Sequence, residues 1–389
     1  MGKDKKQKLF IIMFDFSFKK NVFVGVDIGS AAIKVVELTV VEGEPMLSNY
    51  AWMSLAGNNI GKGDENVEYF QVILPQCLKR IIKKAKFSGR DAYVSLPAFG
   101  GLITLIDFPE MADGDMEQAI RFEAHKYIPT ALDEVVISWE IVERGNRSAS
   151  LIKEIPVPGN SGDAKETDSG VRVKVLLVAA SRKKVLKYEN LVKLSGLELK
   201  SIDIETFSVV RSLVGNDMGS FVIVDIGARV CNIVLVEKGV IRINRNIDAG
   251  GDEMTKAIVK AMGIEMERAE ALKVSGKNFF ETESAVSFFT LELITGEVER
   301  MIRAYCKDGD RDKIEEIILS GGTSRLTGIA DYFSNKLKIK TTIGNPFARI
   351  GYDSRLKSTI ADIQNNLNIA VGLALKGVDE YLKDNLNKK

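Results

Sequence analysis

Val24-Gly25-Val26-Asp27-Ile28-Gly29-Ser30 and Val222-Ile223-Val224-Asp225-Ile226-Gly227-Ala228 are two copies of one pattern. Each is an apolar run that ends in Asp-Ile-Gly and then returns to apolar residues. That writing predicts a buried strand, a tight turn and a second strand. The glycine lets backbone approach a ligand closely, and turn N–H groups can point at phosphate. The aspartate suits a hydrated magnesium ion beside it. A single Asp-x-Gly turn says little, because such turns are common. Two copies, followed by Ile318-Leu319-Ser320-Gly321-Gly322-Thr323, say far more.

At 389 residues the chain exceeds one typical core, so two or more domains are expected. Apolar residues make up 45% and charged residues 28%, the balance of an ordinary globular protein. The net charge of +1 gives no global field for nucleic acid. Cys77, Cys231 and Cys306 stand far apart without metal-ligand spacing, which fits a reducing cytoplasm. His125 is the one histidine, so histidine-based catalysis and a His-rich metal site are not expected. Residues 1–20 read as a basic, aromatic tail, with Lys3, Lys5, Lys6 and Lys8 ahead of Leu9-Phe10-Ile11-Ile12-Met13-Phe14. The apolar run is far short of the ~20 residues that span a bilayer. Either the tail rests on an anionic membrane surface or it is simply frayed.

After the first hairpin, residues 66–86 carry the periodicity of a helix, and 92–97 read as a strand ending at Pro97. A module of β-α-β-β-α order follows over 98–196. Its first helix places Met116, Ala119, Ile120, Ala124, Tyr127 and Ile128 on one face, with Asp113 or Asp115 as cap and Pro129 as stop. Within it, 145–170 are rich in Gly, Ser, Pro and charge and read as a mobile insertion. Residues 252–304 read as mostly helical, and 365–386 as a final helix interrupted by Gly372 and Gly377.

The order of the two hairpins and the Gly-Gly loop resembles the phosphate loops and adenosine loop of the actin/Hsp70/sugar-kinase superfamily. A more specific signature lies in the small module. Ile120-Arg121-Phe122-Glu123-Ala124-His125-Lys126-Tyr127-Ile128-Pro129, then Leu132-Asp133-Glu134-Val135, together with the first hairpin through Leu38, resembles the PilM family. These are actin-like assembly proteins of type IV pili. The resemblance runs from about residue 22 to 377, and a family-like start would fall at Met13. It implies an α/β, actin-like (ribonuclease H-like) two-domain fold with an FtsA-type inserted subdomain. The expected division is 21–97 with 197–215 as the first actin-like subdomain and 98–196 as the insertion. The second actin-like subdomain would take 216–251 with 305–389, and a helical subdomain 252–304. It further implies ATP or ADP with Mg2+ between the halves, a place at the cytoplasmic face of the inner membrane, and the N-terminal tail of a PilN-type membrane protein as partner. A link to the pilus motor ATPase belongs to the same expectation, and self-association is left open.

By that resemblance, Asp27 and Asp225 order magnesium-bound water, and Gly29, Ser30 and Gly227 receive phosphate. Lys34 reaches phosphate as a point charge; the competing reading is a lysine on a solvated strand face. Gly250-Gly251 admits the phosphates from the other side, or is a plain turn. Glu270 and Lys273 bracket the adenosine, or form an exposed intrahelical pair. Gly321, Gly322 and Thr323 let backbone pass beside adenine and ribose. Glu205 stands where relatives place the residue that orients attacking water, or is an acid favoured at a helix N-terminus. Relatives follow the second hairpin with Asn, Met, Thr and Asp. Here Ala228-Arg229-Val230-Cys231-Asn232 lacks a hydroxyl and a carboxylate, which points to slow or absent hydrolysis. Arg229 either pairs with phosphate or blocks the loop. For the partner, Arg121, Phe122, His125 and Lys126 lie on the outer side of their helix as a mixed aromatic and basic surface. The alternative packs Phe122 on the neighbouring domain.

Two other functions compete. A small-molecule kinase of the superfamily needs a general base and a polar substrate pocket, and no second acidic cluster supplies them. An FtsA-like filament protein is expected to finish with a flexible linker and an amphipathic helix, and Tyr381 to Lys389 does not read that way.

Overall fold

The computed structural model of the protein describes residues 21–55, 67–144, 172–281, 286–306 and 311–386. The expected tail at 1–20 lies outside them, as does the expected insertion at 145–170. Among the described residues the chain folds twice into the same unit. In the first unit β1 (Val22–Ile28), β2 (Ala32–Val41) and β3 (Glu44–Ser54) form an antiparallel meander. β4 (Asp91–Leu96) joins β1 in parallel, and the sheet order places β3, β2, β1 and β4 before the later β8 (Glu198–Ile204). The meander turn is Glu42-Gly43, with φ of 54° and 89°, the positive-φ pair that a two-residue hairpin demands.

The second unit repeats this with β9 (Ser220–Ile226), β10 (Cys231–Glu237), β11 (Val240–Ile247), β12 (Glu316–Ser320) and β13 (Thr341–Ile343). Its sheet order is β11-β10-β9-β12-β13, the same as the first. Its meander turn, Lys238-Gly239, again has φ of 52° and 75°. The middle strands are buried on both faces, which is why they read as continuous apolar runs.

Helices cover both sheets. α1 (Leu74–Lys84) lies on the outer face of the first. A π-helical turn, Tyr69–Ile73, leads into it. Pro75 lacks the N–H that would bond back one turn, and the wider turn absorbs that loss. On the second sheet the outer face is covered by α5 (Gly251–Met262), α6 (Met266–Val274), α7 (Phe289–Tyr305) and α8 (Ile329–Leu337). Between the sheets run α4 (Glu205–Leu213) and α9 (Lys357–Leu386), in one core with Phe23, Val36, Ile223 and Ile318.

α9 corrects one expectation. It is continuous through Gly372 and Gly377 and starts earlier than expected. The glycines are contact points, not breaks. A Cβ on Gly372 would sit 1.9 Å from the Ser208 carbonyl oxygen of α4, and one on Gly25 of β1 would sit 2.0 Å from the Ala370 oxygen of α9. Only glycine permits that approach. Because α9 lies between both sheets, residues 357–386 belong to the core shared by the halves.

The inserted module has a three-stranded sheet of order β5-β7-β6, from β5 (Gly101–Pro109), β6 (Val135–Arg144) and β7 (Arg172–Ser181). α2 (Asp113–Ala124) packs Met116, Ile120 and Ala124 on it, as the periodicity predicts, but it ends well before Pro129, and Tyr127, expected on the same face, lies in the following turn and is exposed. Its N-cap is Ala112, so Asp115 lies inside the first turn and caps nothing from outside. The helix expected to finish the module, α3 (Arg182–Leu194), bridges it to the first sheet: Arg182 donates to the Asp133 and Val135 carbonyls of the module, while Tyr188, Leu191 and Val192 join the core of the first sheet.

Candidate functional site

Asp27 and Asp225 stand at the carboxyl ends of β1 and β9, the edge at which parallel-strand crevices receive ligands. Each is followed by a turn closed the same way: Gly29 N–H donates to Ala32 O at 3.1 Å and Gly227 N–H to Val230 O at 3.0 Å. Those two N–H groups close their own turns, and Ser30 just beyond the first is exposed.

Asp27 is 1% exposed. Its cross-strand partner is Lys34, whose ammonium donates to Asp27 Oδ2 at 2.9 Å. Ser95 at the end of β4 donates to Oδ1 at 3.4 Å. Lys34 is therefore paired with a buried carboxylate and is not a lysine on a solvated face. Burial pulls its pKa down, but Asp27, Asp225 and Glu205 outweigh this and hold the pKa above the ordinary value.

Asp225 is held differently. The position opposite it on β10 is Asn232, which turns its Nδ2 to the buried Thr206 hydroxyl at 3.0 Å. Asp225 takes its bond from Asn368 of α9, whose Nδ2 reaches Oδ1 at 2.7 Å and the Ser320 hydroxyl at 2.6 Å. Burial raises the Asp225 pKa, against the pull of Lys34 and these bonds.

Glu205 begins α4 and accepts from Ala98 N–H at 3.2 Å. Burial first, then the charge of Asp27, raises its carboxyl to about 8. It is a helix N-terminal acid and also a member of the buried charge cluster. Ala98, at the entrance to the inserted module, is tied on its other side as well. Its carbonyl accepts from Asn246 Nδ2 of β11 at 3.2 Å. Close by, Arg242 of β11 pairs with Glu143 of the module and with Glu237 at 2.7 Å. The Arg242 hydrogen bond holds the Glu143 carboxyl below its usual range. Side chains of the second half thus grip both the module and its hinge.

On the second half, the N–H groups of Gly251 and Asp252 donate to the carbonyls of Gly227 and Ala228 at 2.9 and 2.8 Å. A Cβ on Gly250 would meet those same carbonyls at 2.6 and 2.7 Å. The glycine pair therefore seats α5 against the second hairpin turn, where the Gly251 N–H is used. Lys273 is 5% exposed. Its ammonium meets Glu270 Oε2 at 2.6 Å, Thr255 Oγ1 at 2.8 Å and Gly251 O at 3.1 Å. Lys273 is thus anchored inward while Glu270 stays half in solvent, so the pair is not wholly exposed. Gly321 has φ of 82° and packs on Ile226 backbone, and the Thr323 hydroxyl donates to Gly227 O at 3.4 Å. Beside this loop a cavity of about 330 Å³ is lined by Ser324, Arg325, Thr327 and Asn365 among others. Arg229 points to neither loop. It is exposed and pairs with Asp248 at 3.3 Å.

On α2, Phe122 is 76% exposed, which excludes packing on a neighbouring domain. Arg121 and Lys126 are exposed and pair with Glu117 and Glu123 along their own helix, and His125 is exposed.

A family model described as type IV pilus assembly protein PilM matches residues 25–156 and 163–378. The chain belongs to the PilM family. The break in the match falls inside the stretch of Gly, Ser, Pro and charge that the sequence sets apart. By structure the chain is similar to a PilM–PilN type IV pilus biogenesis complex, with a TM-score of 0.73 and 24% identity over 91% of this chain and 98% of that one. Ethanolamine utilization protein EutJ from Carboxydothermus hydrogenoformans is similar at a TM-score of 0.50 and 19% identity, over 91% and 89% of the two chains. Cell division protein FtsA of Streptococcus pneumoniae is 20% identical over 406 residues, covering 93% of this chain and 85% of FtsA. The fold of this PilM-family chain is accordingly actin-like, with an inserted subdomain of the FtsA kind.

Sequence reading missed Ser95, Asn232 and Asn368. Asn368 had a signal, a cluster of asparagines in an otherwise apolar helix: Asn365-Asn366-Leu367-Asn368.

Proposed function

We propose that this PilM-family protein is a nucleotide-binding scaffold of a type IV pilus or related secretion assembly. Its two halves close on ATP or ADP with Mg2+, and its inserted module holds the cytoplasmic tail of a PilN-type membrane protein. The observation that carries the nucleotide reading is the convergence of Asp27 and Lys34 from the first hairpin, Asp225 from the second and Glu205 from the start of α4. Lys34 supplies the point charge for phosphate. Asp27 and Asp225 suit a hydrated magnesium ion, which takes few protein ligands and keeps its waters. Among the described residues no three His, Cys, Asp or Glu side chains gather as a direct metal site, so water and phosphate would complete its shell. Lys273, Glu270, Thr323 and the loop at Gly321-Gly322 line the nucleoside side.

Hydrolysis is slow or absent in this reading. Ala228 and the buried Cys231 offer no group to phosphate or metal, and Arg229 is turned to Asp248 on the rim. Glu205, protonated near neutral pH, orients water poorly as a base.

The partner reading rests on α2, whose exposed Phe122 stands among Arg121, His125 and Lys126. The similarity to a PilM–PilN type IV pilus biogenesis complex supports it. Among the described residues no helix is long and apolar enough to cross a membrane; such a chain would reach the inner-membrane face through its partner. Titration of a PilN-type tail peptide against wild type and an Arg121→Glu, Phe122→Ala double variant tests this. Clear weakening is expected. Equal affinities would place the groove on another face, and no binding to either protein would remove the partner.

A further inference from the structure

Two stretches of the chain carry charge of almost one sign. Residues 69–90 hold six cations, Lys79, Arg80, Lys83, Lys84, Lys86 and Arg90, and no acid. Residues 182–196 hold five cations and one acid, Glu189. Together they carry +10 of a chain whose total is +1, so the remainder is net acidic.

The fold brings the two stretches together. α1 and α3 lie side by side on the outer face of the first sheet. The Phe70 and Tyr188 rings meet there at 5.7 Å, and the Ser195 hydroxyl donates to Pro75 O at 3.5 Å. Leu78 and Ile82 of α1, with Leu191 and Val192 of α3, turn to the core. The opposite faces look outward. All six cations of the first stretch are exposed, as are Lys183 and Lys193 of the second. None of these eight makes an ion pair among the described residues.

Helix energetics does not call for this charge. Lys83 and Lys84 suit the last turn of α1, but Arg182, Lys183 and Lys184 occupy the first turn of α3, where the helix dipole disfavours cations. Arg182 is engaged by the carbonyls of Asp133 and Val135. Lys183 has no such anchor among the described residues.

Aliphatic side chains stand among the cations: Val72, Leu186 and Leu194 are 44, 50 and 51% exposed. The aromatic ones do not. Tyr69, Phe70, Phe87 and Tyr188 are buried, which leaves no ring free to stack a base. Clustered lysines with aliphatics between them match anionic lipid, whose headgroups attract the ammoniums and whose acyl boundary accepts the apolar side chains. We propose that the outer face of α1 and α3 is a docking surface for an anionic lipid bilayer. This goes beyond reaching a membrane through a partner, and it depends on neither the nucleotide nor the tail-peptide reading.

The test is co-sedimentation of the purified full chain with vesicles, either of phosphatidylcholine alone or of phosphatidylcholine with phosphatidylglycerol, at low and high salt. Wild type should bind the anionic vesicles only, and more weakly as salt rises. The quadruple variant Lys79→Gln, Arg80→Gln, Lys83→Gln, Lys84→Gln should lose about tenfold or more. Lys183→Gln with Lys193→Gln, on the neighbouring helix, should weaken binding in the same direction and stands in if the quadruple variant does not fold. Leu186→Ser with Leu194→Ser should weaken vesicle binding and leave its salt dependence unchanged. Lys3, Lys5, Lys6 and Lys8 stay in every variant, so a loss reports on the two helices alone. No binding of wild type to anionic vesicles, or wild-type binding in the folded cation variants, overturns the proposal. Unchanged vesicle binding in the leucine variant overturns the part given to the aliphatics. Binding to single-stranded DNA that is tighter than to vesicles and insensitive to the leucine changes would assign the surface to nucleic acid and overturn the lipid reading.

Discussion

Glu205→Gln isolates the buried charge cluster better than any other change. The wild-type carboxyl titrates at about 8 in the folded protein, against 4.5 for an ordinary glutamate. Burial is the largest cause and the charge of Asp27 the next. The sign follows directly. Between the two values the folded protein holds a proton that the unfolded chain releases, so stability falls as pH rises. The contribution is fully present below the unfolded value and is lost as pH passes the folded one. One proton sets the ceiling on this slope, about 1.4 kcal/mol per pH unit. Lys34 lies on the favourable side and shares the charge, so the observed slope should be below that ceiling. Glutamine is the neutral isostere and still accepts from the Ala98 N–H, so its profile should be flatter. The assay is the urea midpoint of nucleotide-free protein at several pH values from 5 to 8.5. The midpoint of Glu205→Gln minus that of wild type should grow steadily with pH. Parallel profiles would show that Glu205 is solvated and would refute the buried cluster; a difference that shrinks with pH would reverse its sign.

Gly372→Ala should lower the melting temperature. Its Cβ meets Ser208 backbone at 1.9 Å, which cannot swing aside, and overpacking of this kind costs about 1–3 kcal/mol. An unchanged melting curve would contradict the contact between α4 and α9. ATP turnover by the purified protein should stay below about one per second, the lower end for competent phosphoryl-transfer enzymes. A coupled phosphate-release assay giving a faster rate would show that Ala228 and Cys231 are no handicap.

Much of the architecture was legible because strand and helix periodicities are local. Both hairpins, the Gly-Gly loop and the apolar face of α2 follow from residue spacing, and the structure places them where the spacing puts them. The unreadable parts depend on what lies across the chain. Gly372 and Gly377 read as breaks because helix propensity penalises glycine; the carbonyl of Ser208 that requires one of them is distant in sequence. α3 reads as the end of the inserted module because it follows β7 directly, yet its apolar face finds the first sheet. In the site, Asp27 and Asp225 were visible from the repeat, and Lys34 from the family resemblance. Asn368 was not, since a buried asparagine acquires meaning only from the carboxylate it meets.

The account stands or falls on whether the two hairpins form a nucleotide cleft. The most direct measurement is calorimetric titration of ADP with Mg2+ into wild type and Asp225→Ala, with thermal melts to show that both are folded. Binding to wild type is expected, weakened at least tenfold, or ~1.4 kcal/mol, in the variant. No heat from wild type up to millimolar ADP, or equal affinity in a folded Asp225→Ala, would contradict it.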